Sequence, residues 1–498
     1  MDNREYDELL ENYREISLLT SVKGLLDWDQ ETYLPKDSID KRAKQTSLLS
    51  GLIHRRISSV RVGKLIENLE GEADLSRDQR AIIREVKRVH RRAASVPECL
   101  VREMSKTTSL AQSKWSRARK KDDFDIFGPS LEKIISLKKE EAEYIGYPDR
   151  PYDALLDEYE PYTLTSDVAA VLDRLKIKMK PIVKKIIESG LVIDTTPIES
   201  GFETDKQEKF CRMILEDMGY DFNRGRLDRT VHPFTVGSDD DVRITTRYSD
   251  DLKVSLFSCI HEGGHALYEQ GYLRENYNTP LAEPISLGIH ESQSRMWENI
   301  IGRSLPFWEH YRETLTRHFP VLDRFTTSEI HNMFNVVKPS LIRVEADEVT
   351  YNMHILLRFE IENELFDGRM DAKEIPQEWN TRMEKYLGIE TPDDRRGCLQ
   401  DIHWSMGAIG YFPTYTLGNL YAAQFYESMR REIPQLDGRI GEGDLKTPLK
   451  WLRENIHRHG KRYTASELVE KVSREPLNED HFVDYIREKY SSVYGLDL

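Results

Sequence analysis

Apolar positions near the start of the chain recur three or four residues apart: Leu9, Tyr13, Ile16, Leu19, Val22 and Leu26. That spacing places them on one face of a helix. The same period returns around Ile82–Ala93, Leu131–Tyr144, Val168–Ile187, Trp297–Phe319 and Ile355–Phe366, so helix is the dominant predicted element. The clearest strand candidate is Asp241–Tyr248, where β-branched residues alternate with charges. Glycine and proline are scattered, with no low-complexity linker and no fixed-period repeat. The pattern predicts a mainly α protein with a small β-sheet. It is expected to form one unit over residues 1–498, with two helical lobes around a cleft as an arrangement such a chain allows.

Composition narrows the function classes. With 72 Lys+Arg against 87 Asp+Glu the net charge is −15, which argues against a general nucleic-acid binder. The most basic stretch, Arg84–Arg92, shares its helix with Ile82, Val86 and Val89, so its charges are expected to be a solvated face. Cys99, Cys211, Cys259 and Cys398 are far apart and form no CxxC pair, as reduced thiols would be. The N-terminal MDNREYDELLENYREI is charged from its second residue, unlike a secretory signal, and no apolar run is long enough to cross a bilayer. A cytoplasmic protein without nucleic-acid or membrane partners is expected.

The chemistry concentrates in Ser258–Tyr268, which contains His261-Glu262-Gly263-Gly264-His265. Residues four apart on a helix share a face, so His261 and His265 can bind one metal ion. Glu262 is rotated by about 100° from His261, where it can take a proton from an attacking water. Zinc lowers the pKa of its water to about 7, which lets one carboxylate work near neutral pH. Chance would give the pattern in a few of every hundred such chains, on the order of its residue frequencies. Its setting among Val254, Phe257, Ile260 and Leu267 is less easily accidental, because unpaired buried polar groups cost about 1–3 kcal/mol each. Two glycines inside that helix cost about 1 kcal/mol each, which suggests close approach of a metal and a substrate to the backbone.

A catalytic zinc takes three protein ligands and keeps one position open. Both His290 and Glu291, about thirty residues downstream of His261, are candidates for the third. Glu291 fits the spacing better, but spacing leaves the choice open.

Further motifs carry a resemblance. His261-Glu262-x-x-His265 and His290-Glu291-Ser292-Gln293 are joined by Asp241-x-Arg243-x-Thr245, Ile342-Arg343-x-x-Ala346-Asp347, Gly397-x-x-Gln400-Asp401-x-His403-Trp404 and His232-Pro233-Phe234. With Leu26–Tyr33 at the N-terminus, this ordered set resembles the carboxypeptidase Taq family of metal-dependent carboxypeptidases over essentially the whole chain. The resemblance implies a zincin-like multi-helical body with a deep cleft and a small sheet near the active site. It also implies removal of single C-terminal amino acids from peptides, and a homodimer. Zinc, or cobalt, would be held by His261, His265 and Glu291, with Glu262 as general base and Tyr415 stabilising the oxyanion. Arg343 would grip the terminal carboxylate with two parallel bonds. Asp241, Arg243 and Thr245 would line one face of a strand that adds to the substrate backbone. Gln400, Asp401 and His403 would contact the substrate or support the metal. Where thermolysin-like sites often place an aspartate, four residues after the glutamate ligand, this chain has Arg295, so support for the ligands must come from elsewhere. Two rivals are an endopeptidase using the same metal site and a metal-free helical scaffold.

Overall fold

The computed structural model describes residues 3–498. The N-terminal helix runs over Arg4–Thr32, started by the Asn3 side chain accepting from the Tyr6 N–H. A capping box of Ser76 and Gln79 opens Arg77–Ser95. Gly128–Ile145, Thr165–Glu188 and Tyr351–Phe366 form where the apolar period predicts them. The run Trp297–Phe319 is the exception. It divides into a π-helical turn, Met296–Ile301, and a helix, Leu305–His318, that starts afresh. The Ser304 side chain caps the new helix and Pro306 sits in its first turn, so the chain breaks while both halves keep facing one core.

Three strands form the sheet: β1 (Gly225–Arg229), β2 (Thr235–Ser238) and β3 (Asp241–Thr246). Their order is β1-β3-β2, with β1 parallel and β2 antiparallel to β3. Val242 and Ile244 of β3 are fully buried, as the alternation predicts. Because β3 is paired on both sides, a substrate strand cannot add to it. That expectation is corrected by topology, which alternation along a single strand does not reveal.

A main apolar core extends from Ala111 to Tyr494. A smaller one gathers Tyr6, Leu9 and Tyr13 with Val62, Leu65, Ile82 and Val86. The helix Leu252–Glu269 runs through the main core beside the helix Leu287–Arg295, and Gly264 lets them meet. A Cβ at Gly264 would lie 2.7 Å from the Gln293 carbonyl oxygen, and one at Gly263 would lie 2.5 Å from a Leu215 methyl. The close approach that the two glycines permit is therefore helix packing, not contact with a metal or substrate. No described helix is long and apolar enough to cross a membrane.

Candidate metal centre

His261 and His265 project from one face of Leu252–Glu269, and Glu291 comes from the neighbouring helix. One ligand atom from each lies within 4.8 Å of the others. Glu291 Oε2 is 3.7 Å from His261 Nε2 and 3.4 Å from His265 Nε2. The backs of His261 and Glu291 are held, whereas His265 Nδ1 is buried without a partner. His261 Nδ1 donates to Glu298 Oε2 at 2.8 Å, which turns Nε2 into the cluster. Arg295 Nε donates to Glu291 Oε1 at 2.7 Å and leaves Oε2 facing the imidazoles. The support missing from the sequence pattern is thus supplied by Glu298 and by Arg295 itself.

The electrostatics fit a cation. Burial drives the His265 pKa down to about 3, so its ring is neutral with a lone pair to offer. Burial works to raise Glu291, yet Arg295 and the imidazoles hold it well below the carboxylate range. Burial also opposes charge on His261, but Glu291 and Glu298 outweigh it and pull its affinity for a proton up. A cluster that draws a proton onto an imidazole lacks positive charge. Two neutral-capable imidazoles and one carboxylate make a donor set suited to a divalent transition metal.

His290 is engaged elsewhere. Its Nε2 meets Glu269 Oε1 at 3.0 Å, and its ring stacks on His265 with centroids 4.1 Å apart. Glu291, not His290, joins the cluster. Glu262 lies beside it, buried, and accepts from Thr235 Oγ1 at 2.7 Å. Burial raises its pKa above the usual carboxylate value. Sequence reasoning missed Thr235, although it directly follows His232-Pro233-Phe234. It also missed Glu298, although that residue is seven from Glu291 and so on the same helical face.

Arg343 is buried in a second charged cluster. Its Nε and Nη2 donate to Asp401 Oδ1 at 3.1 and 2.8 Å, and Nη1 donates to the Tyr351 hydroxyl at 2.8 Å. Arg358 Nε donates to the other oxygen of Asp401 at 2.8 Å. Gln400 Oε1 accepts from the Arg343 N–H at 2.8 Å while its amide donates to Leu341 O, so Gln400 holds the Arg343 loop. His403 Nε2 meets the Tyr415 hydroxyl at 3.3 Å, and the Arg343 guanidinium lies 4.9 Å from the Tyr415 ring centroid. Tyr351 links the two clusters, since Arg295 stacks on its ring at 4.7 Å.

The β3 candidates are not gathered with these residues. Asp241 pairs with Arg243 at 2.8 Å, Arg243 covers the Trp28 ring at 4.3 Å, and Thr245 Oγ1 accepts from the Phe234 N–H at 2.8 Å. They tie the sheet to the N-terminal helix and brace the loop before Thr235. The basic stretch is likewise not a free wet face. Arg88 and Arg92 both reach Asp157 at 3.3 Å, and Arg84 pairs with buried Glu85 at 2.8 Å. Arg84, Arg88, Arg92 and Asp157 line a cavity of about 640 Å³ that contains no residue of the metal cluster.

Comparison with known proteins agrees with this geometry. The carboxypeptidase Taq (M32) metallopeptidase family matches residues 8–490. Thermostable carboxypeptidase 1 of Pyrococcus furiosus is 42% identical, with 98% of this chain and 99% of the relative covered. Thermostable carboxypeptidase 1 of Thermus thermophilus is 41% identical over the same shares. The crystal structure of the M32 carboxypeptidase from Deinococcus radiodurans superposes with a TM-score of 0.96 at 37% identity, covering 99% of this chain and 100% of that one.

Proposed function

The chain belongs to the carboxypeptidase Taq (M32) family of metallopeptidases, and from that premise we propose that it releases single amino acids from the free C-termini of peptides. The observation that carries the proposal is the convergence of His261 Nε2, His265 Nε2 and Glu291 Oε2 beside the buried carboxylate of Glu262. These three residues would hold one divalent ion, zinc or, as an alternative, cobalt. When bound, such an ion supplies Lewis acidity that makes water a nucleophile near neutral pH and polarises a carbonyl.

The chain's own residues divide the remaining work. Glu262 takes the proton of the attacking water on its carboxylate and returns it to the departing amine. Thr235 orients that carboxylate through its hydroxyl hydrogen bond. Burial raises the Tyr415 pKa well above the phenol range, so at neutral pH its hydroxyl is a donor for the developing oxyanion. Arg343 holds the substrate carboxylate. Its Nη1 and Nη2 each carry two N–H groups, and Tyr351 and Asp401 take one from each, which leaves two for a ligand. Gln400 and His403 position Arg343 and Tyr415. The chain acts as one unit over residues 1–498, as a homodimer in the cytoplasm.

The carboxylate grip separates this reading from an internal-cutting peptidase. The test is mass spectrometry of products from one peptide carrying either a free or an amidated C-terminus, with zinc-loaded protein. Stepwise loss of single residues from the free-ended peptide alone, stopped by a chelator, is expected. Internal cleavage of both peptides would establish the endopeptidase instead, and cleavage by exhaustively demetallated protein would remove the metal from the reaction.

A further inference from the structure

The turn that carries Glu298 is not α-helical. Met296–Ile301 winds as a π-turn, closed by the Gly302 N–H donating to the Trp297 carbonyl oxygen five residues back at 2.8 Å. A Cβ at Gly302 would lie 2.8 Å from that oxygen and 3.0 Å from the Glu298 carbonyl oxygen, so the turn requires glycine. In a π-turn residues five apart stack over one another, and Arg303 Nη2 duly donates to Glu298 Oε1 at 3.2 Å. At about 100° per residue, an α-helix would set those two side chains about 140° apart. Within this turn Glu298 points at His261, with Oε2 2.8 Å from Nδ1. Turns of this kind are rare and geometrically poor, so the surroundings must hold it.

The restraint comes from the far end of the chain. Tyr485 and Lys489 stand four apart on one face of the helix Asp480–Tyr494. The Asn299 carbonyl oxygen lies 3.1 Å from Lys489 Nζ and 3.0 Å from the Tyr485 hydroxyl. Lys489 also donates to Glu348 Oε1 and to the Tyr485 oxygen, so all three of its N–H groups are committed. The single Tyr485 proton is then free for Glu348 Oε2 at 2.9 Å. Tyr490 donates to Glu348 Oε1 at 2.9 Å. The Lys489 and Glu348 side chains are only 8% and 4% exposed, so the pair cannot exchange these bonds for water at no cost.

We infer that Lys489, held in place by Tyr485 and Glu348, is a positioning residue for the metal centre: it clamps the Asn299 carbonyl, locks the π-turn and thereby holds Glu298 against His261 Nδ1. The inference rests on the proposed ligand role of His261. Without the clamp the turn can settle toward α-helical pitch, which shifts the Glu298 backbone and loosens its carboxylate from His261 Nδ1. The imidazole then loses the acceptor that fixes its tautomer and orientation.

The test is a double-variant cycle in the full-length protein, read as zinc affinity by competition with a chromophoric chelator. Thermal unfolding of each metal-free variant is recorded beside it. Glu298→Gln and Lys489→Met are each expected to weaken zinc binding about 10- to 100-fold. Tyr485→Phe should act in the same direction by less. In the Glu298→Gln background, Lys489→Met should add less than about threefold, because both act through one contact. Multiplicative losses in the double variant, or wild-type affinity in both Lys489→Met and Tyr485→Phe, would overturn the inference and leave the metal site standing. Wild-type protein that takes up no zinc would overturn the metal reading and this inference with it. Should Lys489→Met fail to fold, Tyr485→Phe combined with Glu298→Gln completes the same cycle.

Discussion

The cluster around Glu291 and the cluster around Arg343 are both buried and both charged, and Arg295 stacked on Tyr351 joins them. They differ in what is left unpaired. At Arg343 nearly every strong group has a partner: each oxygen of Asp401 takes N–H groups from one arginine, and Gln400 closes the loop behind. At Glu291 the backs of His261 and of the carboxylate are bound, His265 Nδ1 has no partner, and two imidazole Nε2 atoms converge on Glu291 Oε2. Lone pairs facing one another cost energy unless a cation fills the space. The first arrangement reads as a preset grip with two N–H groups to spare, and the second as a socket.

The largest effect is expected where the socket meets the reaction. Glu262→Gln should lower kcat by about 10²- to 10⁴-fold while metal content stays at the wild-type level, because the amide cannot accept the proton. Steady-state kinetics beside elemental analysis checks both halves. Wild-type turnover in that variant would take Glu262 out of the reaction.

Next in size is the closed cluster. Asp401→Asn removes the partner of two buried arginines and should cost about 3–5 kcal/mol of stability, measured by denaturant unfolding at neutral pH. The acid side follows from the same contacts. Burial works to raise the Asp401 carboxyl, but Arg358 and Arg343 hold it well below the carboxylate range. Its contribution is therefore complete above about pH 4, the ordinary aspartate value, and is lost as pH falls below that toward the depressed folded pKa. Wild-type stability should drop more steeply below pH 4 than that of Asp401→Asn. Parallel acid slopes would mean that Asp401 is not the group titrating.

The smallest effect tests the two spare N–H groups. Arg343→Ala should lower kcat/KM on free-ended peptides about 10- to 100-fold, the equivalent of about 1.5–3 kcal/mol for a charge-assisted contact. Arg343→Lys should restore part of it, because an ammonium lacks the planar two-bond grip. Equal losses on free and amidated peptides would make Arg343 purely a partner of Asp401. The nearby Asp347 does not fill that structural role. Asp347 instead accepts from the Val349 and Thr350 N–H groups, and the Arg343 fork faces Asp401.

The same contrast explains what could be read from residues alone. His261, Glu262, His265 and the helices around them are local, set by a period of 3.6, and were legible. The partners were not. Asp401 lies 58 residues from Arg343, and β1 and β2 close both edges of β3 through pairings that no local pattern encodes. Glu298 was hidden for a different reason. It is seven residues from Glu291 and on the same helical face, but a lone glutamate outside the ligand motifs carries no signal of its partner, His261 Nδ1. The basic stretch misled in a milder way, since arginine satisfies a helical wet-face pattern while its long side chain reaches across to Asp157.

On the proposed function, Glu291 and not the adjoining His290 completes the socket. The direct measurement is metal bound per chain after equilibrium dialysis against zinc, for wild type, Glu291→Ala and His290→Ala. One ion per chain in wild type and in His290→Ala, with loss in Glu291→Ala, is the predicted result. Full zinc content in Glu291→Ala with loss in His290→Ala would contradict it and move the ligand to the imidazole.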